Sequence, residues 1–508
     1  MLSGGVALFV GSVDAPANAL SNTFRFRQNS NFLYYFGLDM PDLVAAVDVE
    51  SGEDIIFGND LTISDLIWTG PQPTMAELAA RVGVKITKPL SELPEYIAKA
   101  QSLGRKIHVT KPYRAETVAT LLALGITEFP SEELVRASVA MRSIKTEEEI
   151  AEMELACEIG YKMHMKAFEM CREGENERRI VGAIEGIALQ EGWGVSFLSI
   201  VSQHGETLHN RNCDGVLQNG RLLLVDAGAE TLSNYTSDFT RTMPVSGVFT
   251  QKQKDVYNIV LAANNHVFDM SKPEMPYRDA HLAATRVILE GMKSLGAVKG
   301  NVDDALNAGA AYLFMPHGLG HMMGLDDHDM DEMGELFVGY DAEIQRSEHP
   351  SCKACRMARR LKPGMVVSVE PGIYFIPALS DKWRAEGRWI RAVFWFGFDV
   401  THSWMMGTEN TLIAMMEEPE FVQDIFDTYL NRCEILFGRM WDAGYKFDEM
   451  FWYDDMGYKG TTFFSPAMYR EMVQPFHKRA VDWAHNRGIV AQLHSCGDVM
   501  TLLPDIVA

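Results

Sequence analysis

The 508 residues, 47% of them hydrophobic, suffice for three or four ordinary domains, and a formal net charge of −23 argues against a general phosphate-binding surface, which needs clustered Lys and Arg. No apolar run approaches the roughly 18 residues of a membrane helix, and the first ten residues lack the basic start and small-residue cleavage pattern of a signal peptide. Seven scattered cysteines, an odd number, suit a reducing compartment better than a disulfide framework, so the expectation is a cytoplasmic protein that binds neither nucleic acid nor membrane.

Short apolar runs at 6–10, 43–49 and 55–58 alternate with helical patterns such as 75–82, which predicts an α/β domain over residues 1–135. A connector is expected over 130–143. Thr146 and Glu149 form a capping box, and apolar residues at helical spacing carry the predicted helix to about Cys171, with Gly174 as a stop. Strands are expected over 195–202, 222–226 and 239–245 and helices over 251–270 and 278–295, giving a second, α+β domain over 140–388. After Gly387 an aromatic run, Val393-Phe394-Trp395-Phe396, marks a change of texture. Acidic helices then follow from Glu417, with βα-type elements at 449–453 (strand), 466–486 (helix) and 489–494 (strand), so 392–508 reads as a third domain.

The chemistry-bearing residues fall in four separate segments. Asp226 ends the apolar strand Leu222-Leu223-Leu224-Val225 and Asp238 opens the next, so a hairpin would bring both carboxylates together. Two uncompensated carboxylates at the end of a buried strand are costly, and divalent cations would neutralise them. Taken singly, Asp226 reads as a turn cap and Asp238 as a partner of Arg241. Their company argues otherwise: His317, His321 and His328 lie in the glycine-bearing loop Pro316-His317-Gly318-Leu319-Gly320-His321, continued through Asp329, and Glu370 follows a predicted strand over 365–369, ahead of Pro371-Gly372. Mixed carboxylate and imidazole ligation without thiolate suits Mn²⁺ or Co²⁺ at least as well as Zn²⁺, and such ions make hydroxide from water near neutral pH. Cys352 and Cys355 form a lone C-x-x-C, read as two idle thiols.

These motifs resemble the pita-bread metallopeptidases, most closely Xaa-Pro aminopeptidases and prolidases, from about residue 2 to 388. The resemblance includes Arg27-Gln28-Asn29-Ser30-Asn31, Trp68-Thr69-Gly70 and Arg142-Ser143-Ile144-Lys145-Thr146. It implies a creatinase-like α/β domain ahead of a pita-bread α+β domain. Asp226, Asp238, His321 and Glu370 become metal ligands, His209 and His328 the pair steadying substrate and tetrahedral intermediate, and His317 a residue behind the ligands. In these enzymes a hydroxide between two Mn²⁺, Co²⁺ or Zn²⁺ ions attacks the carbonyl preceding proline, with a site glutamate handling the proton. Proline-containing peptides are the implied partners, and a homo-oligomer the implied assembly.

One family ligand is missing. The late strand of form Ile-Arg-x-Glu is matched here by Ile390-Arg391-Ala392-Val393, so valine replaces a bridging glutamate and the pita-bread domain lacks its last strands. Asp226, Asp238 and Glu370 carry −3 against +4 for two divalent ions. The expectation is a weakly held second ion and impaired hydrolysis, with a silent peptide-binding pseudoenzyme as the alternative. Glu409 reads as a solvated helix-start acid rather than a substitute.

Beyond residue 392 the chain resembles the uroporphyrinogen decarboxylase-like proteins, which include methyltransferases, through Met406-Gly407-Thr408-Glu409-Asn410, Tyr453-Asp454-Asp455-Met456-Gly457, Ser465-Pro466-Ala467-Met468-Tyr469 and His494-Ser495-Cys496-Gly497-Asp498. Roughly 115 residues supply only part of a closed eight-stranded barrel, so a partial (β/α) barrel is expected. His494 and Cys496 are two of the three zinc ligands implied for the methyltransferase branch, and two do not make a site. Pieces missing at the front, the junction and the end make a fused reading frame the expected origin, and tail-driven methyl transfer or decarboxylation the remotest functional reading.

Overall fold

In the computed structural model, which describes residues 2–298, 300–376, 389–442 and 446–507, the chain divides into two units at Phe375/Ile376. The segment 377–388, into which the sequence puts the end of the peptidase resemblance, lies outside the described residues.

The first unit begins with a five-stranded mixed sheet in the order Ile86–Lys88, Glu53–Phe57, Val44–Asp48, Val6–Val10, Ile107–His108. Val6–Val10 runs antiparallel to Val44–Asp48 and parallel to Ile107–His108. The period of two sorts its side chains between faces. Val6, Leu8, Val44, Ala46, Ile55 and Phe57 pack on Leu93, Ile97 and Leu121, whereas Ala7, Phe9, Ala45 and Ile56 pack on Phe32, Phe36, Leu78 and Leu134. Apolar side chains on both faces explain why these strands read as unbroken apolar runs.

The expected connector over 130–143 is instead a helix, Glu132–Arg142. Leu134, Val135, Ser138, Val139 and Arg142 form its buried face, and burial of a paired arginine at its end is what the polar composition concealed. The capping box at Thr146 forms as expected and starts the helix Glu147–Met170, which packs against Glu177–Glu191. A second antiparallel helix pair, Gln251–Met270 with Tyr277–Ser294, lies beside it in sequence. Between the two pairs comes an antiparallel three-stranded sheet in the order Phe239–Pro244, Leu222–Ala227, Ile200–Ser202. The strand expected over 195–202 is two short pieces, because Gly194–Val195 pairs separately with Ala229–Glu230.

In the second unit three strands, Arg391–Phe394, Glu449–Tyr453 and Val490–His494, lie parallel in that order. Helices Thr408–Glu417, Pro419–Asp442 and Gln474–His485 connect them, and Phe394, Phe396, Leu430, Met450, Trp452 and Trp483 form a core. The helix expected over 466–486 is interrupted by a π-helical turn at Tyr469–Val473, where Tyr469 Oη meets His477 Nδ1 at 3.0 Å. No described helix is long and apolar enough to cross a membrane.

Candidate active site

Strands Leu222–Ala227 and Phe239–Pro244 pair with Asp226 opposite Thr240, and strand alternation sends Leu223, Val225 and Ala227 into the core while Asp226 faces away from it. Asp238 follows a serine bonded on three sides: Ser237 N donates to Ala229 O (3.0 Å), its Oγ donates to Ala156 O (2.8 Å), and its O accepts from Ser196 Oγ (2.7 Å). The alternative partner for Asp238 is not taken up. Arg241 donates to Thr240 O at 2.7 Å and lies over the Phe239 ring.

The histidine loop and the segment before Glu370 are bonded to each other through their backbones. Ser368 N donates to His321 O (2.9 Å), Glu370 N to Leu319 O (2.9 Å) and Met323 N to Val366 O (3.1 Å), while Ser368 Oγ accepts from His321 N (3.0 Å) and donates to Glu370 Oε1 (2.9 Å). The strand expected over 365–369 is therefore extended backbone with a single bridge, Met322↔Val367, because its neighbour is an irregular loop rather than a regular strand. Gly320 allows this approach, since a Cβ there would run into Ser368 O.

His321 is buried, and its Nδ1 sits 2.9 Å from Met322 O, which calls for the proton on Nδ1. Its Nε2 then points at Asp238 Oδ2 (3.4 Å) and Glu370 Oε1 (3.3 Å). Donor atoms of Asp238, His321 and Glu370 lie within 4.8 Å of one another, as do those of His321, Asp327 and His328. His328 stacks on His321 with ring centroids 3.9 Å apart, and its Nδ1 lies 3.1 Å from Asp331 and in contact with Arg356. His317 packs edge-on against Tyr374 at 5.4 Å. His209 is exposed on the loop after Ile200–Ser202 and joins none of the donor clusters among the described residues.

Burial, reinforced by the charge of Asp238, pushes the Asp226 carboxyl up to about 7 and the Asp327 carboxyl up to about 8. Burial opposes ionisation of Glu370 too, but His321 outweighs it and holds that carboxyl below its usual range. The same two acids, Asp238 and Glu370, keep His321 well above the ordinary imidazole value against its own burial. Asp226 Oδ1, Asp327 Oδ1 and His317 Nε2 are buried without a hydrogen-bond partner. Among the described residues neither Asp226 nor His317 joins a donor cluster, but the carboxylate oxygens of Asp238 and Glu370 converging on His321 Nε2 are the donor set a divalent cation takes, so these residues fit one.

Residues of the amino-terminal domain brace this loop. Arg27 pairs with Glu230 (2.8 Å) and donates to Leu325 O (2.6 Å), Ser30 Oγ donates to Asp326 (2.6 Å), and Asn31 accepts from Arg142 (2.7 Å). The motif holding Arg27, Ser30 and Asn31 is legible in the sequence, whereas Asp327, Ser368 and Tyr374 carry no role there. The signal available for Asp327 was the Asp326-Asp327 doublet inside the histidine loop.

Val393, which the resemblance puts at the position of a fifth ligand, sits in strand Arg391–Phe394, and its side chain offers no donor atom. In the second unit Asp455, His494 and Cys496 also bring donor atoms within 4.8 Å, with His494 and Cys496 exposed.

Known proteins resemble the chain over most of its length. Residues 151–413 match metallopeptidase family M24 and residues 1–109 match the aminopeptidase P N-terminal domain, so the M24 match continues past residue 388 into the strand bearing Val393. A probable Xaa-Pro aminopeptidase of Uncinocarpus reesii is 31% identical over 386 residues, covering 73% of this chain and 77% of the relative. The Xaa-Pro dipeptidase of Homo sapiens is 28% identical over 396 residues (76% and 78%), and the Xaa-Pro aminopeptidase of Escherichia coli 28% over 440 (83% and 94%). Among solved structures, the low-pH form of E. coli aminopeptidase P superposes with a TM-score of 0.64 at 28% identity, over 74% of this chain and 84% of that one. A zinc-substituted form of the same enzyme in complex with product gives 0.63 at 28% identity over the same shares. This chain belongs to metallopeptidase family M24, a hydrolase of the pita-bread fold preceded by an aminopeptidase P N-terminal domain.

Proposed function

We propose that the chain is a metal-dependent Xaa-Pro aminopeptidase, releasing the residue ahead of proline from a peptide's amino terminus. The convergence of His321 Nε2 with Asp238 and Glu370 carries this reading, because three segments far apart in sequence bring nitrogen and oxygen donors to one place. Asp226, Asp238, His321 and Glu370 would hold the ions, which lower the pKa of water and polarise the scissile carbonyl when bound. Glu370, kept ionised by His321, accepts the proton of the attacking water and returns it to the leaving prolyl nitrogen. His328 faces the developing oxyanion, His209 steadies the substrate backbone, and His317 stands behind Glu370 against Tyr374.

With oxygen and imidazole donors and no thiolate, Mn²⁺ is the favoured ion, with Co²⁺ or Zn²⁺ next. Unless another carboxylate takes its place, valine at 393 leaves the second of two ions more weakly held than the first and hydrolysis reduced. Seven cysteines, all unpaired, support a cytoplasmic location, and assembly into a homo-oligomer belongs to the same reading. For the second unit, three parallel strands with intervening helices support a partial barrel of the uroporphyrinogen decarboxylase-like kind, without an activity of its own.

The test is hydrolysis with added Mn²⁺ of an Xaa-Pro-containing peptide and of the same peptide with alanine replacing proline. Cleavage of the first alone supports the reading. Equal cleavage of both, or cleavage at another bond, overturns its specificity.

A further inference from the structure

Position 393 leaves the centre one carboxylate short, and the histidine loop holds another carboxylate that nothing in the fold explains. Asp327 lies between two histidines of the site. Its Oδ2 is 3.8 Å from His328 Nε2, and donor atoms of Asp327, His321 and His328 lie within 4.8 Å of one another. His321 is shared between this cluster and that of Asp238 and Glu370, so the two adjoin.

A structural role for Asp327 would show as hydrogen bonds, and its neighbours display what those look like. Asp326 accepts from Ser30 Oγ at 2.6 Å, and Asp329 accepts from Arg142 at 2.6 Å and Lys145 at 2.9 Å. Asp327 Oδ1, by contrast, is buried with no partner. A carboxyl oxygen withdrawn from water and unbonded, on a side chain clustered with two imidazoles, is stabilised in its ionised form by a cation in the same space. Asp226, Asp238, Glu370 and Asp327 together carry −4, matching the +4 of two divalent ions that the first three leave unbalanced.

We propose that Asp327 supplies the carboxylate this chain lacks at position 393, ligating the second divalent cation from the histidine loop instead of from the late strand. The inference rests on the metal-centre reading above. Because the loop is pinned by Arg142 and Lys145 through Asp329, two residues on, Asp327 is presented from a fixed backbone rather than a mobile one.

The test uses the full chain stripped of metal and titrated with Mn²⁺ alone, reading stoichiometry by calorimetry and by elemental analysis after dialysis, for the unaltered chain, Asp327→Asn, Asp327→Val and Asp238→Asn. Metal-free melting of each variant shows that it folds. The expected result is two ions for the unaltered chain, with loss or at least about 10-fold weakening of the second alone in both Asp327 variants. The Mn²⁺-induced rise in melting temperature shrinks in parallel. Asp238→Asn weakens both ions. Identical stoichiometry and affinity with and without Asp327 overturns the inference while leaving the centre intact. Unchanged binding in Asp238→Asn removes the centre itself, and the inference with it.

Discussion

Arg142 Nη2 donates to Asp329 Oδ1 at 2.6 Å between side chains only 2% and 1% exposed, and Lys145 Nζ reaches the other oxygen of the same carboxylate at 2.9 Å. Asp329 sits one residue after His328, so this buried cluster ties the histidine loop to the start of the helix Glu147–Met170. Removing one member of such a cluster strands the remaining charges away from water. Asp329→Asn is expected to destabilise the first unit by about 3–5 kcal/mol, measured by urea unfolding, and to weaken metal binding by displacing His321 and His328. A loss below about 1 kcal/mol would show that the cluster does not fix the loop.

Gly320 serves a close approach rather than a turn. A Cβ at that position would meet Ser368 O and Oγ, and Oγ is the atom that accepts from His321 N and donates to Glu370. Gly320→Ala is expected to cost about 1–3 kcal/mol of stability and to separate His321 from Glu370. Calorimetric titration with Mn²⁺ checks it, with weaker binding expected even at temperatures where the variant is fully folded.

Acid sensitivity of the amino-terminal sheet follows from Asp48. Its hydrogen bond with Arg105 at 2.7 Å holds the carboxyl at about 2, against 3.8 for an unperturbed one. A depressed carboxyl contributes stability that is fully present above about pH 4 and is lost as pH falls through about 2. Because this pair is partly open to solvent, the contribution is expected to stay below about 1 kcal/mol. Melting temperature followed from pH 5 to pH 2 should fall less steeply for Asp48→Asn than for the unaltered chain.

The alternating and helical elements of the first unit were legible because single side chains there obey one local rule. Thr146 with Glu149 announces a helix start, and the run Leu222 to Val225 announces a strand whose end exposes a carboxylate. The helix Glu132–Arg142 was hidden because its buried face includes Ser138 and Arg142, whose burial depends on distant partners, Tyr35 for the serine and Asn31 and Asp329 for the arginine. The ligand candidates announced themselves by residue type and neighbourhood, whereas the isolation of Asp327 Oδ1 depends on what the fold fails to place beside it.

Hydrolysis of an Xaa-Pro peptide by the metal-loaded full chain, compared with Asp238→Ala prepared in the same way, shows whether the carboxylate and imidazole cluster is a catalytic metal centre. The unaltered chain is expected to release the amino-terminal residue with Mn²⁺, with the activity abolished by chelation and reduced at least about 100-fold by the substitution, as for loss of a ligand shared by the centre. Equal hydrolysis by both chains, or none by the unaltered chain with Mn²⁺, Co²⁺ or Zn²⁺, would contradict that reading.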